Sequence, residues 1–443
     1  MTDLVEFLAL LILGAPIFAL VLLTISRFAS DELPEARITQ LTSSIFAVGL
    51  VGALALAAAF VTFHVPRVVV NIGTLLSFRS YHFDLALELT PTTLVLLVLT
   101  FLLSALVGSY SARYLHRDPG FFRFYILLVL FALGMELIVT AHSLTLLFAG
   151  WEFVGITSAI LIAFYNERVG PSRHGLRAYA TYRATDVGLF LAVAILEHTA
   201  HSAEFMRLGE ISLPPATLTL VALLIVFGAM GKGAILPFTG WLPKAMEGPT
   251  PSSAIFYGAL SVHASPYLLL RAMPLLERVP AARVMIVVLG GLTAVYAAFV
   301  GRTRADIKTA LAYGSASQVG LIWVEVGLGF TNLALVHIVG HGILRTWQLL
   351  RSPSILQDLT TKPRRPGFQL FQLSPWVYRQ SVVEWHLDDL GKQLFFRPVG
   401  SVLRFVDGLD ARMRAALGAG DQHDRIQRVP AEGAAKKAEE AQP

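Results

Sequence analysis

From Leu4 to Leu350 the chain is a succession of apolar runs joined by short polar links. A helix rising about 1.5 Å per residue crosses roughly 30 Å of hydrocarbon in about 20 residues, and about eleven runs approach that length. They are Leu4–Ile25, Leu41–Phe63, Thr92–Tyr110, Phe124–Thr140, Leu144–Tyr165, Ala178–Leu196, Thr217–Phe238, Ser252–Arg271, Val284–Val300, Leu311–Leu328 and Asn332–Leu350. Hydrocarbon offers the backbone no hydrogen-bond partner, so such runs fold as helices, and an all-α polytopic membrane protein is expected. Charged residues are 15% of the chain, against about 25% in a soluble domain.

The formal net charge of +5 lies between the apolar runs and forms no basic face, so it speaks for membrane topology and not for nucleic acid. There is no cysteine, which excludes disulfides, thiolate metal sites and Fe–S ligation by this chain. The N-terminus is acidic, with Asp3 and Glu6, and its apolar run is longer than a signal-peptide core, so a retained first helix is expected. Loops carrying Arg113/Arg117/Arg123, Arg168/Arg173/Arg177 and Arg302/Arg304/Lys308, with the Lys362/Arg364/Arg365 segment, fall on one side. Cytoplasmic loops collect basic residues, so the N-terminus is expected outside and the C-terminus inside, in a bacterial inner membrane. The link with Arg271, Arg278 and Arg283 disagrees.

Four parts are expected: residues 1–90 with two helices and an external hairpin, a core at 91–350, a link with amphipathic helices at 351–417, and a disordered tail at 418–443. The hairpin is read from β-prone alternation within Val65–Leu89. The amphipathic pattern is Val383, Leu387, Leu390 and Leu394, then Val402, Val406, Leu409, Met413 and Leu417.

Lys232 is the lone charge between Leu213 and Pro243, and Glu152 the lone charge between Leu137 and Asn166. Each would cost at least about 3 kcal/mol in hydrocarbon, so such residues face a bundle interior, a water-filled cavity or one another. Arg183 and Asp186 share a helix face at i, i+3. Glycine and proline around Lys232, from Gly228 to Gly240, predict a broken helix, tolerated at membrane depth where a cavity or protein satisfies the freed backbone. His337, His341 and Arg345 stack at i, i+4, i+8. Histidine titrates near neutrality and desolvated lysine can be tuned to do so, which points to an ion or proton path. The plainer readings are a static Glu152–Lys232 pair and helix-packing hydrogen bonds at Asp186 or His263. His337-x-x-x-His341 has zinc-ligand spacing, yet no third ligand lies nearby in sequence, so neither metal nor cofactor is expected.

The run Gly150-Trp151-Glu152-Phe153-Val154-Gly155, then Arg183-Ala184-Thr185-Asp186, Met230-Gly231-Lys232, Leu236-Pro237, Trp241-Leu242-Pro243, Gly248-Pro249-Thr250-Pro251, Asp306-Ile307-Lys308, Ser317-Gln318 and His337 to Arg345 resembles the antiporter-like membrane subunits of respiratory complex I. Related subunits occur in Mrp-type antiporters, membrane-bound hydrogenases and the DabB component of inorganic-carbon uptake complexes. The resemblance implies that Glu152 and Lys232 form a proton-intake pair. It also implies that Lys308, His337 and His341 carry protons along the membrane midplane, with Asp186 in the same path. Arg183, Lys244, Tyr257, His263 and Arg345 support these. The family usually has aspartate at Lys244, histidine at Tyr257 and lysine at Arg345. Arginine does not deprotonate usefully, so Arg345 is expected to gate and not to carry. The family also continues for further helices with an exit-side lysine, and the corresponding outward half-channel is expected to be missing here. The expected partners are other subunits of a larger complex, lipid, and protons or sodium. The expected function is proton translocation in a quinone-oxidoreductase membrane arm, with proton-driven carbon uptake or a non-conducting scaffold as alternatives.

Overall fold

The computed structural model describes residues 2–28, 33–78, 81–361 and 373–387, with residues 401, 408 and 409 besides. Met1–Trp385 forms one compact unit and His386–Pro443 another. In the first unit the expected runs all form helices: α1 (Thr2–Phe28), α2 (Glu35–Thr62), α3 (Pro91–Tyr114), α4 (Phe121–Thr140), α5 (Leu144–Ile162), α6 (Val169–Ala200), α7 (Pro215–Lys232), α8 (Thr250–Leu276), α9 (Pro280–Gly301), α10 (Ile307–Leu328) and α11 (Thr331–Thr361). Among the described residues nine helices, α1 to α9, are long and apolar enough to cross a membrane. Helices α10 and α11 have the length, at 22 and 31 residues, but Gln318 and Glu325 in one and His337, His341 and Arg345 in the other make them more polar. The chain is an all-α, multi-pass membrane protein.

Local chemistry sets the helix ends. Thr90 accepts the Thr93 N–H while the Thr93 hydroxyl accepts the Thr90 N–H, closing a capping box before Pro91. Ser143 caps α5 and Asp306 caps α10, while Pro215 and Pro280 open α7 and α9. Gly329, at φ 88°, ends α10 in the left-handed region that glycine enters without strain.

The expected hairpin is present as β1 (Val68–Phe78) antiparallel to β2 (Tyr81–Leu89), with Val68 opposite Leu89. It is stapled to the bundle. Arg271 of α8 donates to Glu88 at 2.9 Å and to the carbonyls of Ala141 and Val139 at 2.8 and 3.3 Å. Arg278 donates to the Ile211 carbonyl at 2.8 Å and Arg283 to that of Gly327 at 3.0 Å. The three arginines that break the charge bias are thus structural staples at the hairpin end of the bundle.

Helix α7 stops at Lys232, short of the expected Phe238, because Gly233 and Pro237 cannot sustain it. The chain returns through 3₁₀ turns at Phe238–Trp241 and Lys244–Glu247. Within α8, Ser253–Leu260 is a π-helix, a departure often found at functional sites.

The first expected amphipathic helix differs. Here α12 (Pro375–Val382) ends before Val383, and Glu384, Trp385 and His386 adopt φ of 53–55°. Arg304 explains the stop by donating to the Ser381 and Val382 carbonyls and pairing with Glu384 at 3.3 Å, which fixes this segment against the end of α9. Leu390, Leu394, Val402, Val406, Met413, Leu417, the 418–443 tail and Lys362, Arg364 and Arg365 lie outside the described residues.

Candidate functional site

Two polar clusters lie within the helices. The first joins α5, α6 and α7. Arg183 of α6 bridges two carboxylates, pairing through Nη1 with Glu152 of α5 and through Nη2 with Asp186 at 2.8 Å. Asp186 also accepts from Trp151 Nε1 at 2.6 Å and stands 3.5 Å from Lys232 Nζ. The ammonium is wholly enclosed, its Nζ 4.7 and 4.8 Å from the ring centres of Trp151 and Tyr182. Cation–π attraction and one carboxylate replace part of its lost hydration. With every group ionised, two acids and two bases leave the cluster neutral, so uptake or loss of one proton unbalances it.

The intake pair implied by the resemblance takes a different form. Lys232 contacts Asp186, and Glu152 is joined to that pair through Arg183. The cluster grades from uncovered to sealed: Arg183 and Glu152 side chains are 35% and 29% exposed, Asp186 and Lys232 3% and 0%.

Close helix approach makes this contact possible. A Cβ on Gly231 would stand 2.0 Å from Thr185 Oγ1, and one on Gly228 would stand 2.8 Å from Leu189 Cβ, so α7 lies against α6 along a glycine edge. A Cβ on Gly155 would reach 3.0 Å from Lys232 Nζ. Trp241, fully enclosed, donates to the Gly231 carbonyl at 2.9 Å and packs edge-on to Tyr182 and Tyr257. Tyr257, on the π-helix, donates to the Ser158 carbonyl at 2.6 Å.

The second cluster joins α8, α10 and α11. His341 Nδ1 lies 3.0 Å from His263 Nε2, both buried. The rings of His337 and His341 are 6.4 Å apart. His337 Nδ1 lies 2.8 Å from Glu325 Oε1 and its Nε2 2.9 Å from Gln318 Oε1. Arg345 is buried one turn beyond His341, its guanidinium against Gly314. His263 makes an interhelical hydrogen bond, and its partner is a member of the histidine line.

Helix α8 separates the clusters. Ser261 and Ser265 share one face at i, i+4. Ser261 Oγ lies 3.5 Å from Ser158 Oγ, and a Cβ on Gly233 would stand 2.4 Å from Ser265 Oγ. His263, between them in sequence, points to His341.

Lys308 joins neither cluster. It is the second residue of α10, so it sits at that helix's end and not at the midplane, its Nζ 3.4 Å from the Met246 carbonyl and 3.5 Å from that of Gly248. Lys244 opens the 3₁₀ turn whose carbonyls Lys308 meets.

Four residues without a role in the sequence reading stand out. Trp151 and Gln318 sat inside recognised motifs but had no partner visible along the chain. Glu325 is a lone acid in an apolar run, the signal used for Glu152. Glu136 of α4 is 1% exposed with Oε2 unpartnered and sits one position before the stretch in which Glu152 stands alone.

The fold and site define a multi-pass membrane protein whose helices carry two lines of titratable side chains. The family model described as NADH:quinone oxidoreductase/Mrp antiporter, TM, matches residues 141–377, more than half of the chain, and the chain belongs to that family. A second model, NADH-Ubiquinone oxidoreductase (complex I), chain 5 N-terminus, matches residues 75–125. NADH-ubiquinone oxidoreductase chain 5 of Metridium senile is 34% identical over 301 residues, covering 67% of this chain and 50% of that one. Its counterpart in Schizophyllum commune is 33% identical over 321 residues, covering 71% and 46%. The chain thus spans about half the length of these relatives. Among solved structures, a chain of the Mrp complex from Dietzia sp. DQ12-45-1b aligns with TM-score 0.66 and 26% identity, over 78% of this chain and 37% of that one. A chain of the archaeal membrane-bound sulfane sulfur reductase shares the fold, with TM-score 0.68 and 18% identity, over 78% and 70%.

Proposed function

We propose that this chain is a proton-translocating subunit of a multi-subunit membrane complex, most closely a complex I-like membrane arm. The supporting observation is the neutral Glu152–Arg183–Asp186–Lys232 cluster, in which a sealed ammonium touches a single carboxylate. A proton arriving from the uncovered Glu152 end neutralises one acid, weakens the hold on Lys232 and favours release of its proton inward. His263, His341 and His337 then accept and pass it. Trp151 and Tyr182 keep the ammonium enclosed, and Trp241 packs behind Tyr182 and against Tyr257. Lys308 orders the return loop beneath the cluster, and Arg345 places a fixed positive charge beside the histidines.

Glu152 is the ninth of nineteen residues in α5 and Arg183 lies near the middle of α6, so their uncovered side chains face out at membrane depth. A charged pair there needs protein or water beside it. This supports neighbouring subunits, as do relatives drawn from the Mrp complex and complex I. The end with Arg113, Arg117 and Arg123 is assigned to the cytoplasm of a bacterial inner membrane, and the hairpin end to the outside.

The test is proton flux in vesicles carrying the native complex. Lys232→Ala should abolish flux while the chain still co-purifies with its partners. Loss of assembly with no separate flux defect would make the chain a scaffold. Mass spectrometry of the co-purified partners separates a respiratory arm from a soluble carbonic-anhydrase-like partner.

A further inference from the structure

We infer that Glu325 is a proton-transfer residue in its own right, the outlet carboxylate that carries protons from the histidine line to the hairpin end of the bundle. This rests on the translocation reading above. Glu325 lies in the last turn of α10, which ends at Leu328, whereas His263 and His341 lie well inside α8 and α11. From His341 the next polar group towards that end is His337, and His337 meets Glu325 at 2.8 Å. Glu325 Oε1 takes that contact, and Oε2 is shielded by the protein without a partner. The side chains of His337 and Glu325 are 21% and 18% exposed, whereas His263 and His341 are buried, so this pair lies at the partly exposed edge of the histidine line.

The hydrogen bonds define two proton configurations. With the Gln318 carbonyl facing Nε2 and Glu325 ionised, both ring nitrogens of His337 donate, and the pair is imidazolium and carboxylate. Transfer of the Nδ1 proton to Oε1 breaks one N–H bond, forms one O–H bond and leaves neutral imidazole beside neutral acid. The acid then loses its proton to water at the hairpin end, and a proton from the histidine line returns to the bare Nδ1, which restores the imidazolium and closes the cycle. Gln318 accepts from Nε2–H in both configurations, which leaves Nδ1 as the nitrogen that exchanges its proton. The titratable groups around His337 are Glu325 of α10, His341 along α11 and His263 of α8, with Arg345 two turns further along α11; Arg283 of α9 donates to the Gly327 carbonyl at the end of α10.

The test uses vesicles carrying the native complex, with Lys232→Ala measured alongside. Glu325→Gln should assemble normally and lower flux at least tenfold, while Glu325→Asp, which restores an acid one methylene shorter, should recover a measurable part of it. If Glu325→Gln assembles and conducts at the parent rate while Lys232→Ala abolishes flux, the outlet assignment is overturned and the translocation reading stands. If Glu325→Gln does not assemble, Glu325→Asp decides: an assembled complex with reduced flux supports the outlet, and one with parental flux overturns it. If Lys232→Ala conducts normally, the translocation reading itself fails.

Discussion

At the residue scale the structure turns a question about one lysine into a question about four charges. Lys232 is sealed with one carboxylate, so removing that partner should hurt more than removing both. Asp186→Asn keeps an oxygen for Trp151 Nε1 and deletes only the charge. It is expected to cost about 3–5 kcal/mol, the range for breaking a buried pair. Adding Lys232→Met should return most of that loss, because a pair replaced by uncharged groups is close to neutral. Thermal unfolding in detergent gives both values, and a double variant no more stable than Asp186→Asn would mean that the loss does not come from the stranded ammonium. The residues of this cluster were legible as lone charges in apolar runs, but their partners were not. Glu152 and Lys232 are the obvious pair along the chain, yet Arg183 stands between Glu152 and Asp186 because α6 runs between α5 and α7.

At the element scale, glycines decide how near the helices come. Gly231→Ala puts a methyl about where Thr185 Oγ1 lies. It should cost about 1–3 kcal/mol by overpacking and slow flux by moving Lys232 from Asp186. Thr185→Ala in the same chain should recover part of both, and failure to recover either would place the strain elsewhere. The hairpin is held by charge. Burial alone would raise the Glu88 carboxyl, but the hydrogen bond from His142 and the guanidiniums of Arg271 and Arg67 outweigh it and hold the carboxyl below its ordinary value. A depressed carboxyl pKa adds stability that is complete above the ordinary carboxyl pKa and is lost as pH falls through the lower folded-state value. Protection of the amides of residues 68–78 and 81–89, taken relative to their intrinsic exchange rates, should therefore fall at acid pH, and Glu88→Gln should show that loss already at neutral pH. Unchanged protection in the variant would show that backbone contacts alone hold the hairpin. The sequence pattern revealed these strands but gave them no chemistry, since Arg271 lies far along the chain from Glu88.

At the scale of the whole molecule, the partly uncovered Glu152–Arg183 pair at mid-membrane depth marks the face where other subunits or water must lie. Mild delipidation that strips partners from the complex should raise the labelling of Glu152 by a hydrophobic carbodiimide several-fold over that of Asp186, which is 3% exposed. Equal labelling before and after stripping would mean that no subunit covers this face. A partly exposed Glu152, paired with Arg183, and a sealed Lys232 form the two ends of this cluster.

The sequence by itself determined the eleven long helices and the hairpin, though not α12. Apolar runs of span length have one way to satisfy their backbone in hydrocarbon, and lone charges within them announce enclosed polar sites, whatever the packing. The break at Lys232 and the hairpin followed from glycine, proline and β-branched residues acting within a few positions of themselves. Only the tertiary structure decided which charges meet. It placed Lys308 at a helix end, joined His263 to the histidine line, and brought Glu325 against His337. It also gave the arginines that break the charge bias carbonyls and a carboxylate to hold. Such contacts depend on helix rotation and approach distance, which are set by side chains on neighbouring helices and leave no periodicity in the chain that carries them.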